Sequence, residues 1–463
     1  MAEHTVIMEN TLRKLLAEKK YATLREILIT MNPADIAAIF DELEEDRLPL
    51  LYRLLPKELA ADTFVEMDQE AQELLIRGFS DSELKEVLDE LFVDDAVDII
   101  EEMPATVVRR ILSQADPEMR KSINEILRYP ESSAGSIMTT EYISLRPQMT
   151  VAEAITRIRR TGIDKETIYT CYVTKDRTLI GVVTVKDLLL CDDDDKHIAD
   201  IMIDKVISVN THDDQEEVAQ MFSKYNFMAL PVVDTENRLV GIVTFDDAMD
   251  VMEEEATEDI EKMAAIIPSE KPYMSMSPFE IWKNRIPWLM LLMVSATFTG
   301  IIISHFESAL SKLVILTAFI PMLMDTAGNS GSQASVTIIH GLSLNEIEFK
   351  DILQIIWKEA RVAVLCGLSL GVACFGKILL VDYLILGSFA EVTMASPFVI
   401  IGVICITLAI TVLFAKIVGC SLPLFAKKLG FDPAVMASPF ITTIVDALSL
   451  LVYFGVANIF LSL

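Results

Sequence analysis

Asp325, Asn329 and Gln333 sit four residues apart in an apolar run that begins near Leu313 and continues to about Ile339. Residues four apart share one face of a helix, and about 20 residues suffice to cross a bilayer. An Asp at the centre of hydrocarbon costs about 2.5–3.5 kcal/mol on insertion scales. This stripe, with Thr326, Ser330, Ser332 and Ser335 around it, must therefore face protein or water. Ala327, Gly331 and Ser335 repeat every four residues as well, a small-xxx-small pattern that lets another helix approach closely. Near the C-terminus Ser438, Thr442 and Asp446 again recur at i, i+4, and Asp446 is the only charge between Asp432 and the chain end. A lone carboxylate at membrane depth marks a functional site. The alternative is a buried Asp satisfied by hydroxyls and backbone groups, but packing alone does not explain two polar-faced helices in one short membrane segment.

Five hydrophobic spans would position these residues, roughly Pro287–Ile303, Leu313–Ile339, Val362–Leu380, Pro397–Ala415 and Ala434–Leu461. Lys283 and Arg285 precede the first span. Lys350, Lys358 and Arg361 follow the second, and Lys427 and Lys428 follow the fourth, whereas the opposite loops carry little beyond Lys312. The positive-inside rule then predicts a multi-pass protein of the cytoplasmic membrane, N-terminus cytoplasmic and C-terminus outside. Five spans make a thin wall for a pore, and a pore shared on a two-fold axis solves that.

At 463 residues with a formal charge of −30, the chain is too long for one domain. Residues 281 onward carry ten basic and ten acidic side chains, so the entire excess lies in the first 280. Such a field repels nucleic acid and attracts cations. Cys171, Cys191, Cys366, Cys374, Cys405 and Cys420 form no CxxC pair and read as small apolar residues, not as a disulfide or zinc framework. The polar start of the chain does not read as a signal peptide.

Two internal repeats organise the acidic part. Segments of twelve residues start at Asn32, Glu44, Pro56, Asp68, Ser80, Phe92, Pro104 and Asp116. Each reads as a short helix opened by a capping residue or proline, and such helices bury their faces only by stacking into a solenoid. Within it Asp62, Asp94 and Asp98 stand out, the last two at i, i+4 on one helical face. From 131 to 250 a twofold repeat follows: SIMTTEYISLRP is echoed by DIMIDKVISVNT, and LIGVVTVKDLL by LVGIVTFDDAM. Each copy predicts strand, helix, two strands and a short helix opening at Thr184 or Thr244. This pair resembles tandem CBS domains, carried by Gly181–Asp187 and Gly241–Asp247. By that resemblance Thr184 with Asp187, and Thr244 with Asp247, fall where such domains hold an adenosine ribose. Residues 246–263 then form an unbroken acidic helix, with Asp247, Asp250, Glu254 and Glu258 along one face.

Solenoid, CBS pair, acidic helix and five spans, with MDTAGNSGSQAS and SPFITTIVDALSLLVYF as the most specific segments, resemble the MgtE family of magnesium channels along essentially the whole chain. The resemblance implies an all-α N-terminal domain (1–130), a tandem CBS pair (131–195 and 196–250), a connecting plug helix and linker (251–280) and a five-helix channel domain (281–463). It implies a homodimer in the bilayer with the pore on its axis, lined by Asp446, Thr442, Ser438, Gly328 and Asn329, and no enzyme activity. Regulatory Mg²⁺ would be held by Asp62, Asp94, Asp98, Asp214, Glu216, Asp247, Asp250, Glu255, Glu258, Asp259 and Asp432. ATP would meet Tyr169, Lys186, Asp187 and Phe227. Three departures are visible: Ser438 where the family often has Asn, Asn226 where some relatives are acidic, and Thr326-Ala327-Gly328-Asn329 in place of TGGN. Mg²⁺ sheds its waters reluctantly, so one carboxylate per subunit plus carbonyls would hold it hydrated. A transporter of anions is disfavoured by the acidic filter and by spans that read as free of basic residues. An enzyme would need a second catalytic group at the depth of Asp446. A transporter of Mn²⁺, Co²⁺ or Ni²⁺, or a membrane sensor without transport, are the competing readings.

Overall fold

The computed structural model describes residues 11–461 apart from 42, 44–46, 270, 272, 390–395 and 437, and leaves the side chains of 308, 309 and 438 undescribed. The chain divides into two units, Met1–Met252 and Glu253–Leu463.

In the first unit the twelve-residue period becomes a ladder of helix caps. Pro56, Asp68, Ser80, Phe92, Pro104 and Asp116 are each the N-cap of a short helix. The chemistry is local: the Asp68 carboxylate accepts from Ala71 N at 2.7 Å, and Ser80 and Glu83 close a capping box. Each helix turns its apolar stripe inward, so Phe64, Leu75, Leu84 and Ile100 join one core. Glu44, where the second repeat was expected to open, lies outside the described residues, and the helix there is Leu48–Tyr52. The helix Val93–Glu102 (α1) carries Asp94.

Two matching three-stranded sheets follow, β1 (Ser144–Leu145), β2 (Thr170–Lys175) and β3 (Thr178–Thr184), then β4 (Val209–Asn210), β5 (Ala229–Val233) and β6 (Leu239–Thr244). In each, the first pair is parallel and the second antiparallel, with Tyr172 opposite Ser144 and Val182, and Val232 opposite Val209 and Gly241. The repeated glycine and methionine explain each other. A Cβ on Gly181 would meet Met202 Sδ at 2.6 Å, and one on Gly241 would meet Met138 Sδ at 2.6 Å. Each copy's Met thus occupies the space that the other copy's Gly leaves open. β3 runs into helix α2 (Val185–Leu189) and β6 into α3 (Phe245–Met263). The expected boundary at residue 250 is therefore crossed by a single helix. No Gly or Pro interrupts residues 245–263.

In the second unit, four stretches among the described residues are long and apolar enough to cross a membrane: Pro278–His305 (α4), Phe349–Ile385, Pro397–Lys428 (α7) and Pro433–Leu461. The second contains α6 (Ile352–Lys377) and the last contains α8 (Ser438–Leu461). The expected run from Leu313 to Ile339 resolves into a 3₁₀ segment, Val314–Phe319, and a 24-residue helix, α5 (Ile320–Ser343). At 1.5 Å per residue α5 is long enough to span, but its polar centre keeps it out of the apolar set. It packs against α7 and α8. Basic residues do lie in the apolar helices, against expectation. Lys416 on α7 is buried 3.6 Å from Glu359 on α6, and Lys377 pairs with Asp382 at 2.9 Å. A buried charge needs such a partner.

Candidate functional site

α5 separates its residues into two faces. Ala327, Gly328, Gly331, Ala334, Ser335 and Ile338 are buried, while Asp325, Asn329, Gln333 and Thr337 are exposed at strict i, i+4 spacing. The small face acts as a notch. A Cβ on Gly331 would meet Ile441 Cγ2 at 3.0 Å and the Ala415 carbonyl at 3.1 Å, and one on Gly419 would overlap the Gly331 backbone. Backbone-to-backbone contact of this kind fixes the rotation of α5. Ser335 adds a hydrogen bond, its Oγ donating to the Met436 carbonyl at 3.1 Å.

That rotation brings Gly328 against α8. A Cβ there would lie 3.0 Å from Thr442 Cγ2 and 3.8 Å from Asp446 Oδ1. Thr442 and Asp446 are half-buried, and the Thr442 hydroxyl donates to the Pro439 carbonyl at 2.9 Å. Asp325 is close enough for its charge to act on Asp446. The side chain of Ser438 lies outside the described residues. A glycine backbone, the methyl side of Thr442 and a carboxylate thus meet beside an exposed polar stripe. The Asp446 carboxylate is an oxygen ligand of the kind a hard cation takes.

The first unit holds a denser carboxylate cluster. Oxygens of Asp94, Glu141 and Glu166 lie within 4.8 Å of one another. Asp94 is 6 % exposed, and among the described residues its Oδ1 and Glu166 Oε2 have no hydrogen-bond partner. Glu141 Oε2 accepts from Val93 N at 3.0 Å. Burial, then the charges of Asp247 and Asp95, push the Asp94 carboxyl well above the carboxylate range. Burial followed by Asp95 and Asp247 raises Glu166 to about 8. Burial followed by Asp247 raises Asp95 to about 7, and burial raises Asp247 to about 6. A cation among them would relieve both the desolvation and the repulsion.

Glu141 and Glu166 escaped the sequence reading, since nothing in their spacing links them to Asp94, and Asp95, its neighbour in the chain, was passed over as well. Asp98, expected beside Asp94, is exposed and is not one of the three grouped carboxylates. Asp62 stands with Glu58 on another helix. Asp214 is an N-cap, accepting from Glu216 N at 2.9 Å.

In the second unit the end of α3 is tied to the loop before α8. Lys262 Nζ lies 2.7 Å from Asp432 Oδ2 and 2.7 Å from Glu258 Oε1. Burial, then the charge of Asp432, raises the Asp259 carboxyl to about 6. Asp250 and Glu255 lie on α3 as well, Glu255 adding to the field at Asp259.

A cavity of about 650 Å³ opens beside α2, lined by Tyr169, Thr184, Lys186, Leu189 and Met228 among others. Tyr169 and Lys186 were expected there. Asp187 instead closes a capping box with Thr184, whose N–H and hydroxyl donate to its Oδ2 at 3.1 and 2.6 Å, and Phe227 stacks on Tyr225. Neither lines the cavity. Asp247 and Thr244 repeat the cap.

Known proteins match nearly the full length of the chain. A divalent cation transporter family model, MgtE, matches residues 320–456. Models of the MgtE intracellular N domain and of CBS domains match 31–132, and 134–193 with 198–254. Magnesium transporter MgtE of Thermus thermophilus is 36 % identical over 456 residues, 97 % of this chain and 98 % of the relative. That of Bacillus subtilis is 33 % identical over 453 residues, 96 % of each. The crystal structure of the cytosolic domain of the Mg²⁺ channel MgtE in complex with ATP is 39 % identical, with a TM-score of 0.50, and covers 52 % of this chain and 99 % of that one. Inosine-5'-monophosphate dehydrogenase of Methanocaldococcus jannaschii matches over 116 residues only, at 28 % identity, a likeness at the level of the CBS domains.

Proposed function

The chain belongs to the MgtE family of magnesium transporters, and from that premise we propose that it is a homodimeric Mg²⁺ channel with Asp446 as the ion-binding group. It is a transporter, not an enzyme. The observation that carries the reading is the exposed stripe Asp325–Asn329–Gln333 on a helix that packs among membrane spans. A polar stripe does not face lipid, so a second copy would cover it, and two stripes meeting on an axis enclose a wet path. One Asp446 per copy, with Thr442 and the Gly328 backbone, gives about two negative charges to a hydrated divalent ion.

In this reading the acidic elements sense internal Mg²⁺. Asp94, Glu141 and Glu166, with Asp95 and Asp247, repel one another until a cation joins them. α3 closes on the Asp432 loop through Lys262, Glu258 and Asp259, with Mg²⁺ strengthening the contact. Asp62, Asp98, Asp214, Glu216, Asp250 and Glu255 are further candidate ligands. ATP enters the cavity at Tyr169 and Lys186, and the N-terminal unit lies in the cytoplasm.

Flux into proteoliposomes tests the pore. Asp446→Asn keeps shape and removes charge, and it is expected to abolish Mg²⁺ uptake while the dimer stays folded. Undiminished, selective Mg²⁺ flux would refute the assignment.

A further inference from the structure

Between α3 and α4 the chain folds back on itself and is pinned from both sides. Ile267 N donates to the Asn284 carbonyl at 3.0 Å, and Ser269 N donates to Glu261 Oε2 at 2.9 Å. The Ser277–Glu280 capping box starts α4. The fold-back leaves a cavity of about 310 Å³ whose lining includes Glu261, Ser269, Lys271, Asn284, Arg285 and Ile281. That is the low end of the roughly 300–1,000 Å³ typical of small-molecule sites, too small for a large ligand and ample for a head group.

Three observations indicate what fills it. The first is depth. From Ile286 to Ile303 no charged residue occurs, so Arg285 is the last charge before hydrocarbon. The rings of Phe279 and Trp282 lie 5.2 Å apart, 69 % and 52 % exposed, as aromatic residues do at a membrane interface. The second is charge. Among the described residues Arg285 makes no ion pair and Lys271 pairs only with Glu280, exposed and at 3.3 Å, a contact worth little. The third is that the lining also carries Glu261, so the cavity offers both signs.

We propose that this cavity binds the head group of a zwitterionic phospholipid with a primary ammonium, its phosphodiester on Arg285 and Lys271 and its ammonium on Glu261. A guanidinium matches a phosphodiester with two parallel hydrogen bonds. Glu261 favours –NH₃⁺, which donates hydrogen bonds, over a quaternary ammonium, which cannot. The acyl chains would leave along α4, none of whose side chains is buried within the chain. The bound lipid would brace the joint between the helix that carries Glu258 and Lys262 and the first membrane span. The inference rests on the membrane placement of α4 and not on which ion is carried.

Native mass spectrometry of the full chain in detergent, with added phosphatidylethanolamine, phosphatidylcholine or phosphatidylglycerol, is the test. Phosphatidylethanolamine should be retained in preference to the other two. Arg285→Gln should weaken retention about tenfold, the value of a charge-assisted hydrogen bond. Glu261→Gln should level phosphatidylethanolamine with phosphatidylcholine. Arg285→Lys keeps the charge and loses the fork, so it should give an intermediate loss even where the Gln variant folds poorly. Equal retention by Arg285→Lys and the unmodified chain overturns the proposal. Preference for phosphatidylglycerol, or displacement of lipid by inorganic phosphate, also overturns it, by assigning the cavity to anions in general.

Discussion

In the N-terminal unit Asp94, Glu141 and Glu166 are drawn from separated stretches and pressed together in a largely buried place, with Asp95 and Asp247 adding to the field. In the membrane unit Asp446 lies half-buried beside the Gly328 backbone, and the polar stripe on α5 stays exposed. The first arrangement is unstable without a counter-ion, since buried like charges oppose folding until they are neutralised. The second asks little of the fold, and a site that holds an ion loosely can also release it. Crowded carboxylates suit a sensor whose conformation reports occupancy. A sparse, wet carboxylate suits conduction.

Exchanging the two effects should separate them most clearly. Asp446→Asn is expected to cut flux by about 100-fold, the scale of one strong charged interaction, while Mg²⁺ still slows proteolysis around residues 254–271. Glu166→Gln should do the reverse, conducting while its closure by internal Mg²⁺ is blunted. Loss of both properties in either variant would erase the distinction.

Next in size is the notch. Gly419→Ala places a methyl on the Gly331 backbone, and overpacking of this kind costs about 1–3 kcal/mol. A lower melting temperature with lost flux is expected, and an unchanged melt would mean that α5 and α7 do not approach as closely as described.

The pH dependence sharpens the comparison from the sensor side. Asp94, Asp95, Glu166 and Asp247 hold protons more tightly folded than unfolded. Their contribution to stability is complete below the ordinary carboxylate range near 4 and is lost as the pH rises through about 6 to 8. Thermal melts of residues 1–263 without Mg²⁺ should therefore fall over that range. Added Mg²⁺ should restore stability most at the alkaline end. A pH-independent melt would mean that the cluster is solvated.

The smallest effect belongs to Lys262, which is partly exposed at its pair with Asp432. Lys262→Met should cost under about 1 kcal/mol and speed proteolysis of the linker at low Mg²⁺, with little change at high Mg²⁺. Equal protection at every Mg²⁺ concentration would show that the ammonium does nothing to hold α3 closed.

Much of the architecture was legible because it is periodic. A twelve-residue spacing placed six caps, from Pro56 to Asp116, since a cap answers to backbone groups within three residues. The i, i+4 stripes on α5 and α8 were readable for the same reason: helical geometry dictates which side chains share a face. The twofold repeat likewise announced two sheets of one topology.

What the chain could not announce is which distant residues meet. Glu141 and Glu166 reach Asp94 only through the packing of the first unit's core, and Lys262 finds Asp432 only because α3 ends beside the loop before α8. Thr184 and Asp187 had the spacing of a ribose site and of a capping box alike. The structure shows the cap, with Thr184 N donating to Asp187, and a cavity beside it lined by Thr184 and Lys186. Sequence alone determined the helices, the repeats and the polar faces, because short-range hydrogen bonds and side-chain periodicity are local. Tertiary structure decided the carboxylate cluster, the Lys262 tie and the glycine notch, because burial and like-charge crowding arise only where separate segments are brought into contact.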